Sequence, residues 1–179
     1  MKSFKILSAL IIISAGFSGC SDSSSVAKSD KLVGAVKLVS QLPFDPSSTP
    51  SLTSGGACNF DSIDGKDRDL ASFSMKKGQQ LHVVGWAAVS VEEEVLPTDV
   101  VLALQNNQDT KIAYYAATAK EKREDVALYF KKPALVDSGF NTLIDLSDLV
   151  TGQYMLKIVQ HKEDKNIVCM ITKIINVIE

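Results

Sequence analysis

Eight short apolar segments, each cut off by turn-forming residues, constrain what this chain can fold into more than any other feature. They are Cys58 to Ile63, Ala71 to Met75, Leu81 to Val91, Val100 to Gln105, Lys111 to Ala117, Phe140 to Ile144, Tyr154 to Gln160 and Ile167 to Ile178. Asp64-Gly65, Lys77-Gly78, Asn106 to Asp109 and Glu163 to Asn166 supply turns between them. Side chains along a strand alternate between faces. Val100, Leu102 and Leu104 therefore share one face, and Tyr154, Leu156 and Ile158 another, opposite Lys157. Regular short strands of this kind predict a mainly β fold, an antiparallel sandwich. No fixed repeat period occurs, which argues against a solenoid or a propeller. Two stretches interrupt the pattern. Thr118 to Phe130 carries apolar residues behind a charged run, which predicts one short helix in a crossover, and Asp145 to Leu149 before Gly152 reads as a single helical turn with a glycine stop.

Upstream of Cys58 the composition is different. Lys2 and Lys5 precede a twelve-residue apolar run from Ile6 to Phe17, interrupted only by Ser8, Ser14 and Gly16, and the run ends in Phe17-Ser18-Gly19-Cys20. That layout is a signal peptide's, and a spanning helix needs roughly 20 apolar residues. Small residues at Ser18 and Gly19 followed by a cysteine resemble the lipobox of bacterial lipoproteins, where Phe17 occupies a position that is usually aliphatic. The resemblance implies cleavage before Cys20, lipidation of Cys20 and a membrane held through the lipid; ordinary signal cleavage and an uncut anchor are the competing readings. In Gram-negative lipoproteins an aspartate directly after the cysteine favours the inner membrane. Here Ser21 takes that place and Asp22 the next, so the resemblance implies an outer-membrane anchor with the protein facing the periplasm or the cell surface.

The expected organisation is then a signal peptide at 1–19, a lipidated tether and linker at 20–56 and a β-sandwich domain at 57–179. Ser21 to Lys31 (SDSSSVAKSDK) has no aromatic residue and too little apolar surface to offset its ordering entropy. Leu32 to Val39 (LVGAVKLV) is apolar enough for a strand or a docking segment, with a merely sticky linker as the alternative. Pro43, Pro46, Pro50 and Ser54-Gly55-Gly56 mark an irregular connection. The chain holds 19 basic and 21 acidic residues, and loss of Lys2 and Lys5 leaves a net charge of about −4. With no basic cluster long enough to form a face, the sequence speaks against nucleic acid as a partner and against adhesion to anionic lipid by charge alone.

If Cys20 is lipidated, Cys58 and Cys169 remain as an even pair in an oxidising compartment. They stand 111 positions apart, in the first and last candidate strands, and a disulfide between them is expected, with two buried thiols as the alternative. Neither has a second cysteine or histidine at metal-site spacing.

Three landmarks, Gly85-Trp86-Ala87, Arg123-Glu124-Asp125-Val126-Ala127 and Ser138-Gly139-Phe140, resemble in order and approximate spacing a β-sandwich domain of Gram-negative cell-envelope proteins. Cys58-Asn59-Phe60-Asp61-Ser62-Ile63-Asp64-Gly65 before them and Gly152-Gln153-Tyr154 after them fit the same pattern. Glu124 stands where that pattern often has proline, which permits more helical geometry there. The resemblance spans about Cys58 to Val177 and implies an Ig-like sandwich. Such domains occur in small lipoproteins and beside polysaccharide-related membrane proteins, without an agreed activity, so an envelope glycan becomes the first candidate ligand.

Each candidate residue has a structural reading beside the functional one. Trp86 is a core anchor or a sugar platform. Arg123 and Asp125 pin a connection through an ion pair or orient a ligand. Tyr114 and Tyr115 are consecutive and must point to opposite faces, and an exposed tyrosine near Trp86 would extend a stacking surface. Asp61, Asp64, Asp67 and Asp69 surround Gly65 but lack the alternating ligand positions and the closing glutamate of a calcium loop. Glu92-Glu93-Glu94 reads as a charged loop. His82 and His161 belong to no hydrolase motif, and no glycine-rich phosphate loop is present, so no enzyme, no metal and no cofactor are expected. The expected function is a non-enzymatic binding module for envelope glycan. The alternative is a protein-binding inhibitor, immunity or exclusion factor in the periplasm. Oligomeric state has no signature in the sequence.

Overall fold

The computed structural model describes residues 34–45, 51–67 and 69–179. Cys20, the signal segment and the tether from Ser21 to Lys31 lie outside the described residues. The strands, in chain order, are β1 (Leu52–Ser54), β2 (Ala57–Ile63), β3 (Lys66–Asp67), β4 (Ser72–Lys76), β5 (Gln80–Ala88), β6 (Asp99–Asn106), β7 (Ala113–Ala117), β8 (Ala119–Glu121), β9 (Gly139–Asp145), β10 (Gly152–Lys162) and β11 (Lys165–Ile178). One α-helix, α1 (Glu124–Phe130), and a short 3-10 helix at Pro133–Asp137 fill the connection from β8 to β9.

The strands form two sheets. One runs β3-β2-β5-β9-β8, and its register is antiparallel throughout. The other runs β1-β11-β10-β6-β7, with β4 added alongside β1 on the long strand β11; β1 and β4 pair with β11 in parallel, and the remaining pairs are antiparallel. Alternation decides which residues meet between the sheets. Phe60, Ile63, Leu81, Val83, Phe140 and Ile144 project from the first sheet against Leu102, Leu104, Tyr154, Leu156, Ile158, Ile175 and Val177 from the second, all buried in one cluster. This is the β-sandwich that the strand pattern predicts. At its entrance to β10, Tyr154 is fully buried and its hydroxyl donates to the Val150 carbonyl oxygen, 2.9 Å away and four residues upstream. Such a corner satisfies the one polar atom of an otherwise apolar side chain.

Cys58 on β2 and Cys169 on β11 are joined by a disulfide with a Cα–Cα distance of 6.3 Å. The bridge therefore links one sheet to the other, next to an irregular stretch of the β10–β11 pairing between Lys157 and Val159.

Packing begins earlier than residue 57. The Val36 amide donates to the Leu143 carbonyl oxygen at 2.7 Å, and the Asp145 amide donates to Val36 at 3.0 Å. Three residues on, Val39 and Tyr115 exchange backbone bonds of 3.0 and 2.8 Å. The segment thus ties β9 of one sheet to β7 of the other, with Leu38 between them in the sandwich core. Beyond it Leu42 is buried on the outer face of the second sheet among Val101, Ala103, Tyr115 and Val159. The Phe44 ring stacks on His161 at 4.3 Å, and Asp45 accepts a bond from Asn166 at 3.0 Å. Residues 36–39 thus dock as the apolar run of Leu32 to Val39 suggests, and with Leu42 to Asp45 they form a strap that belongs to the folded unit, which packing therefore extends upstream of residue 57. Two apolar residues four positions apart earn burial here from surfaces that β6, β7 and β10 supply.

The short helix expected within Thr118 to Phe130 is α1, and ahead of it Ala119 to Glu121 pair with Gly139 to Asn141 as β8. One smaller expectation is corrected. The stretch from Asp145 to Leu149 is a hydrogen-bonded turn, closed by the Leu149 amide on the Leu146 carbonyl at 3.1 Å, and the Asp145 carboxylate accepts the Ser147 amide at 2.9 Å. A local side chain to backbone bond of this kind competes with helix formation.

Candidate functional site

Strand register brings the three sequence landmarks to one place. Gly85 lies opposite Phe140 and Trp86 opposite Gly139, and the Ala87 amide donates to the Ser138 carbonyl oxygen at 3.0 Å. Glu121 of β8 pairs with Gly139 on its other side, and the Arg123 amide donates to Val136 at 2.7 Å. Both glycines are required by close approach. A Cβ on Gly85 would lie 2.3 Å from the Asn59 carbonyl oxygen and 2.6 Å from the Phe140 ring, and one on Gly139 would lie 2.4 Å from the Arg123 side chain and 2.5 Å from the Glu121 carbonyl oxygen.

Alternation along β5 turns Leu81, Val83 and Ala87 inward and leaves Trp86 and Ala88 on the outer face. Helix α1 crosses that face. Val126 and Phe130, one turn apart, approach it, and a third apolar cluster of Ala88, Val126 and Leu135 forms there with Trp86 and Phe130 packed against it. The Trp86 and Phe130 rings meet edge to face at 5.4 Å, and Tyr129 meets Phe130 at 4.9 Å. Trp86 is half-buried, whereas Tyr129 is 81% exposed. Trp86 is thus neither in the sandwich core nor shut off from solvent. It lines a cleft of about 530 Å³ together with Asn59, Asp61, Arg123, Asp125, Tyr129 and Phe130.

The cleft's polar wall starts from a β-bulge. Phe60 pairs with Gly85 and Ser62 with Val84, so Asp61 is the extra residue of β2, and the bulge frees its carboxylate to meet Arg123. Arg123 stands at the N-terminal boundary of α1. Its Nε and Nη2 donate to the two carboxylate oxygens of Asp125 at 2.8 and 2.6 Å, and its Nη1 donates to Asp61. Asp61 in turn accepts from the Asn59 side-chain amide at 3.2 Å. The bidentate hydrogen bonds to Asp125 raise the Arg123 pKa well above its ordinary value despite partial burial. In the reverse direction, the same bonds hold the Asp125 carboxyl below the usual carboxylate range. The guanidinium and the Asp125 carboxylate therefore stay charged together through the neutral range.

Trp86, Arg123 and Asp125, singled out in the sequence, share this cleft. Tyr114 and Tyr115 do not, because β7 belongs to the other sheet. They do point to opposite faces: Tyr114 packs on the core with its ring 6.3 Å from Tyr154, and Tyr115 is buried beneath Leu42 on the outside. Burial, and next to it the Asp45 charge, raises the Tyr115 pKa. The exposed tyrosine beside Trp86 is instead Tyr129. Asp61, Asn59 and Phe130 are the other residues missed as site members. Asp61 reads in the sequence as one acid in a row and as part of the pattern from Cys58 to Gly65, and its role depends on a bulge that appears on pairing.

The remaining candidates have local partners. Asp64 and Gly65 both have positive φ, 53° and 68°, and form the two-residue turn of the β2–β3 hairpin. Glu94 accepts the Ala134 amide at 2.9 Å, and Lys132 donates to the Glu92 carbonyl oxygen at 2.8 Å, so the acidic loop braces the 3-10 helix. His82 and His161 each bond an asparagine, Asn141 at 2.8 Å and Asn166 at 2.9 Å, on different sheets. Among the described residues no cluster of three or more His, Cys, Asp or Glu could hold a metal ion, and no helix is long and apolar enough to cross a membrane.

Chemically, the cleft is lined both by aromatic rings and by charged, hydrogen-bonding side chains. Flat apolar patches beside directional polar groups suit a ligand that is itself amphipathic, with C–H faces and hydroxyl edges. No family model matches the chain, and no curated protein or solved structure matches it.

Proposed function

We propose that this protein is a lipoprotein of the bacterial envelope, anchored to the outer membrane through Cys20, whose sandwich domain is a non-enzymatic glycan-binding module. The observation that carries the glycan reading is the cleft in which Trp86, Tyr129 and Phe130 stand beside Asn59, Asp61, Arg123 and Asp125. A pyranose ring stacks its C–H face on an aromatic side chain and directs its hydroxyls at charged donors and acceptors, and both kinds of group line this cleft. The company kept by similar envelope domains supports the same reading, as does the meeting of all three sequence landmarks at this spot. The lipid anchor rests on Phe17-Ser18-Gly19-Cys20 and the apolar run before it.

The test is retention of the full chain on envelope polysaccharide. Trp86→Ala and Tyr129→Ala should each abolish or strongly reduce it; Tyr129 is mostly exposed, so its loss leaves the fold intact. Undiminished retention of both variants refutes the reading. Labelled palmitate should enter the wild-type chain and not Cys20→Ala, and equal labelling of the two refutes the anchor.

A second reading has its own observation. Leu128 and Tyr129, adjacent on α1, are 77% and 81% exposed, and an apolar and aromatic tip of this kind suits a protein partner, as in an inhibitor, immunity or exclusion factor. Crosslinking in the native envelope followed by mass spectrometry separates the two. A protein adduct on α1 favours the second reading, and a glycan adduct in the cleft favours the first.

A further inference from the structure

The charge arrangement of the cleft carries a statement about which sugars it takes, and this statement rests on the glycan reading above. An arginine in a sugar site ordinarily invites an acidic ligand, because its fork of N–H donors matches a carboxylate or a phosphate. Here the side-on edge is taken. Asp125 occupies the Nε and Nη2 donors with both of its oxygens, and Asp61 takes a bond from Nη1. An incoming anion would have only the second hydrogens of Nη1 and Nη2 to bind, on a side chain that is 14% exposed and already held by two carboxylates of this chain.

The balance of charge points the same way. One guanidinium faces two carboxylates, so the polar wall carries a net negative charge. Of its members, Asp125 is the one turned outward: its side chain is 68% exposed, against 14% for Arg123 and 23% for Asp61. A ligand entering the cleft therefore meets carboxylate first. Trp86 and Tyr129, which line the same cleft, add to the preference, because aromatic rings attract cations through their quadrupoles.

We propose that the cleft selects sugars by charge, favouring those that bear a free amine and discriminating against acidic ones, with Asp125 as the residue that sets the preference. The three matched probes are oligomers of glucosamine, of N-acetylglucosamine and of galacturonate, titrated calorimetrically into the full chain in detergent at mildly acidic pH and low salt. The free-amine oligomer should bind about tenfold more tightly than the neutral one, as expected for one charge pair at close range, and the acidic oligomer most weakly. Added salt should shrink the differences. Asp125→Asn, at an exposed position, should bring the amine and neutral affinities together and raise the acidic one, since it removes the charge and the asparagine amide can accept only one of the two bonds, which frees one donor of Arg123.

Tightest binding of the acidic oligomer by the wild type, or an unchanged ranking in a folded Asp125→Asn, overturns the charge selection while leaving a Trp86-dependent glycan site standing. Failure of all three oligomers to bind overturns the glycan reading itself, and this inference with it.

Discussion

Leu38→Ala tests whether the strap is part of the folded protein. Leu38 is 9% exposed and sits between two pairs of backbone bonds, those of Val36 to β9 and of Val39 to β7. Truncating a buried leucine removes its transfer free energy and leaves a partly unfilled cavity, and costs about 2–5 kcal/mol. The backbone bonds on either side hold the strap in place and limit collapse of that cavity, so the cost belongs near the middle of the range, about 3 kcal/mol. With an m-value of roughly 1.5 kcal/mol per molar urea, the unfolding midpoint of the full chain should fall by about 2 M. Leu42→Ala, on the outer face of the second sheet, should give a separate loss of similar kind, because it belongs to a different cluster. Gln41→Ala is the internal control: Gln41 is exposed, and its midpoint should stay within about 0.5 kcal/mol of wild type. Urea titration followed by tryptophan fluorescence reads all three, since Trp86 is the chain's one tryptophan. A shift of less than about 0.3 M for Leu38→Ala, equivalent to roughly 0.5 kcal/mol, would show the segment to be an unattached linker and the reasoning to be wrong.

Other perturbations follow from single contacts. Replacing both Cys58 and Cys169 by alanine opens a loop of 111-residue separation and should cost up to roughly 4.7 kcal/mol, seen calorimetrically as a Tm lower by about 10–20 °C; a Tm within about 3 °C of wild type would refute the estimate. Gly139→Ala drives a Cβ into the Arg123 side chain and the Glu121 carbonyl oxygen, so it should cost about 1–3 kcal/mol by urea titration and loosen the Arg123 wall as well. A wild-type midpoint would mean that the approach is not tight. The Arg123–Asp125 pair adds a pH dependence of fixed sign. The Asp125 pKa is depressed in the folded state from its ordinary 3.8, so its contribution is present above that value and is lost as pH falls through the lower folded value. Because Asp125 is largely exposed, the contribution stays below about 1 kcal/mol. Asp125→Asn should flatten this part of the acid limb of urea midpoints, and parallel limbs in the two proteins would contradict the pairing.

Much of the sandwich is legible in the sequence because its long strands carry their own alternation. β6 and β10 can be read residue by residue, and Asp64-Gly65 states its turn outright. What the sequence hides is structure whose stability comes from elsewhere. β1, β3 and β8 have two or three residues each and exist only as partners of β11, β2 and β9. Leu38 belongs to an apolar run that suggests docking without saying onto what, and Leu42 lies beyond that run, where proline and glycine downstream give the segment the look of a connection. Their burial is decided by surfaces that lie far along the chain, on β6, β7, β9 and β10. The site divides in the same way. Trp86, Arg123 and Asp125 stand out as parts of short motifs, whereas Asp61 joins them only through a bulge, and Tyr129 reads as one more apolar residue of a helix until its exposure is known. Tyr114 and Tyr115 point to opposite faces, as consecutive strand residues must, yet nothing local says to which sheet they belong.

Strap and cleft can be perturbed separately, and β9 explains why. The strap bonds β9 at Leu143 and Asp145, its C-terminal end, while the cleft depends on Gly139 and Phe140 at the opposite end. That N-terminal end is held from both sides without the strap, by Glu121 and Lys120 of β8 and by Gly85 and Trp86 of β5. The outer faces are divided as well. Leu42 covers part of the second sheet's outer face, while α1 and the cleft use the first sheet's. A Leu38→Ala protein kept below its lowered unfolding midpoint therefore retains the Trp86 and Arg123 geometry, and its sugar affinity should equal that of the wild type. Gly139→Ala acts on the shared point, where the backbone of β9 touches the Arg123 side chain, so stability and affinity should fall together. The contrast between the two variants distinguishes a cleft carried by the sandwich from one that depends on how the chain enters it.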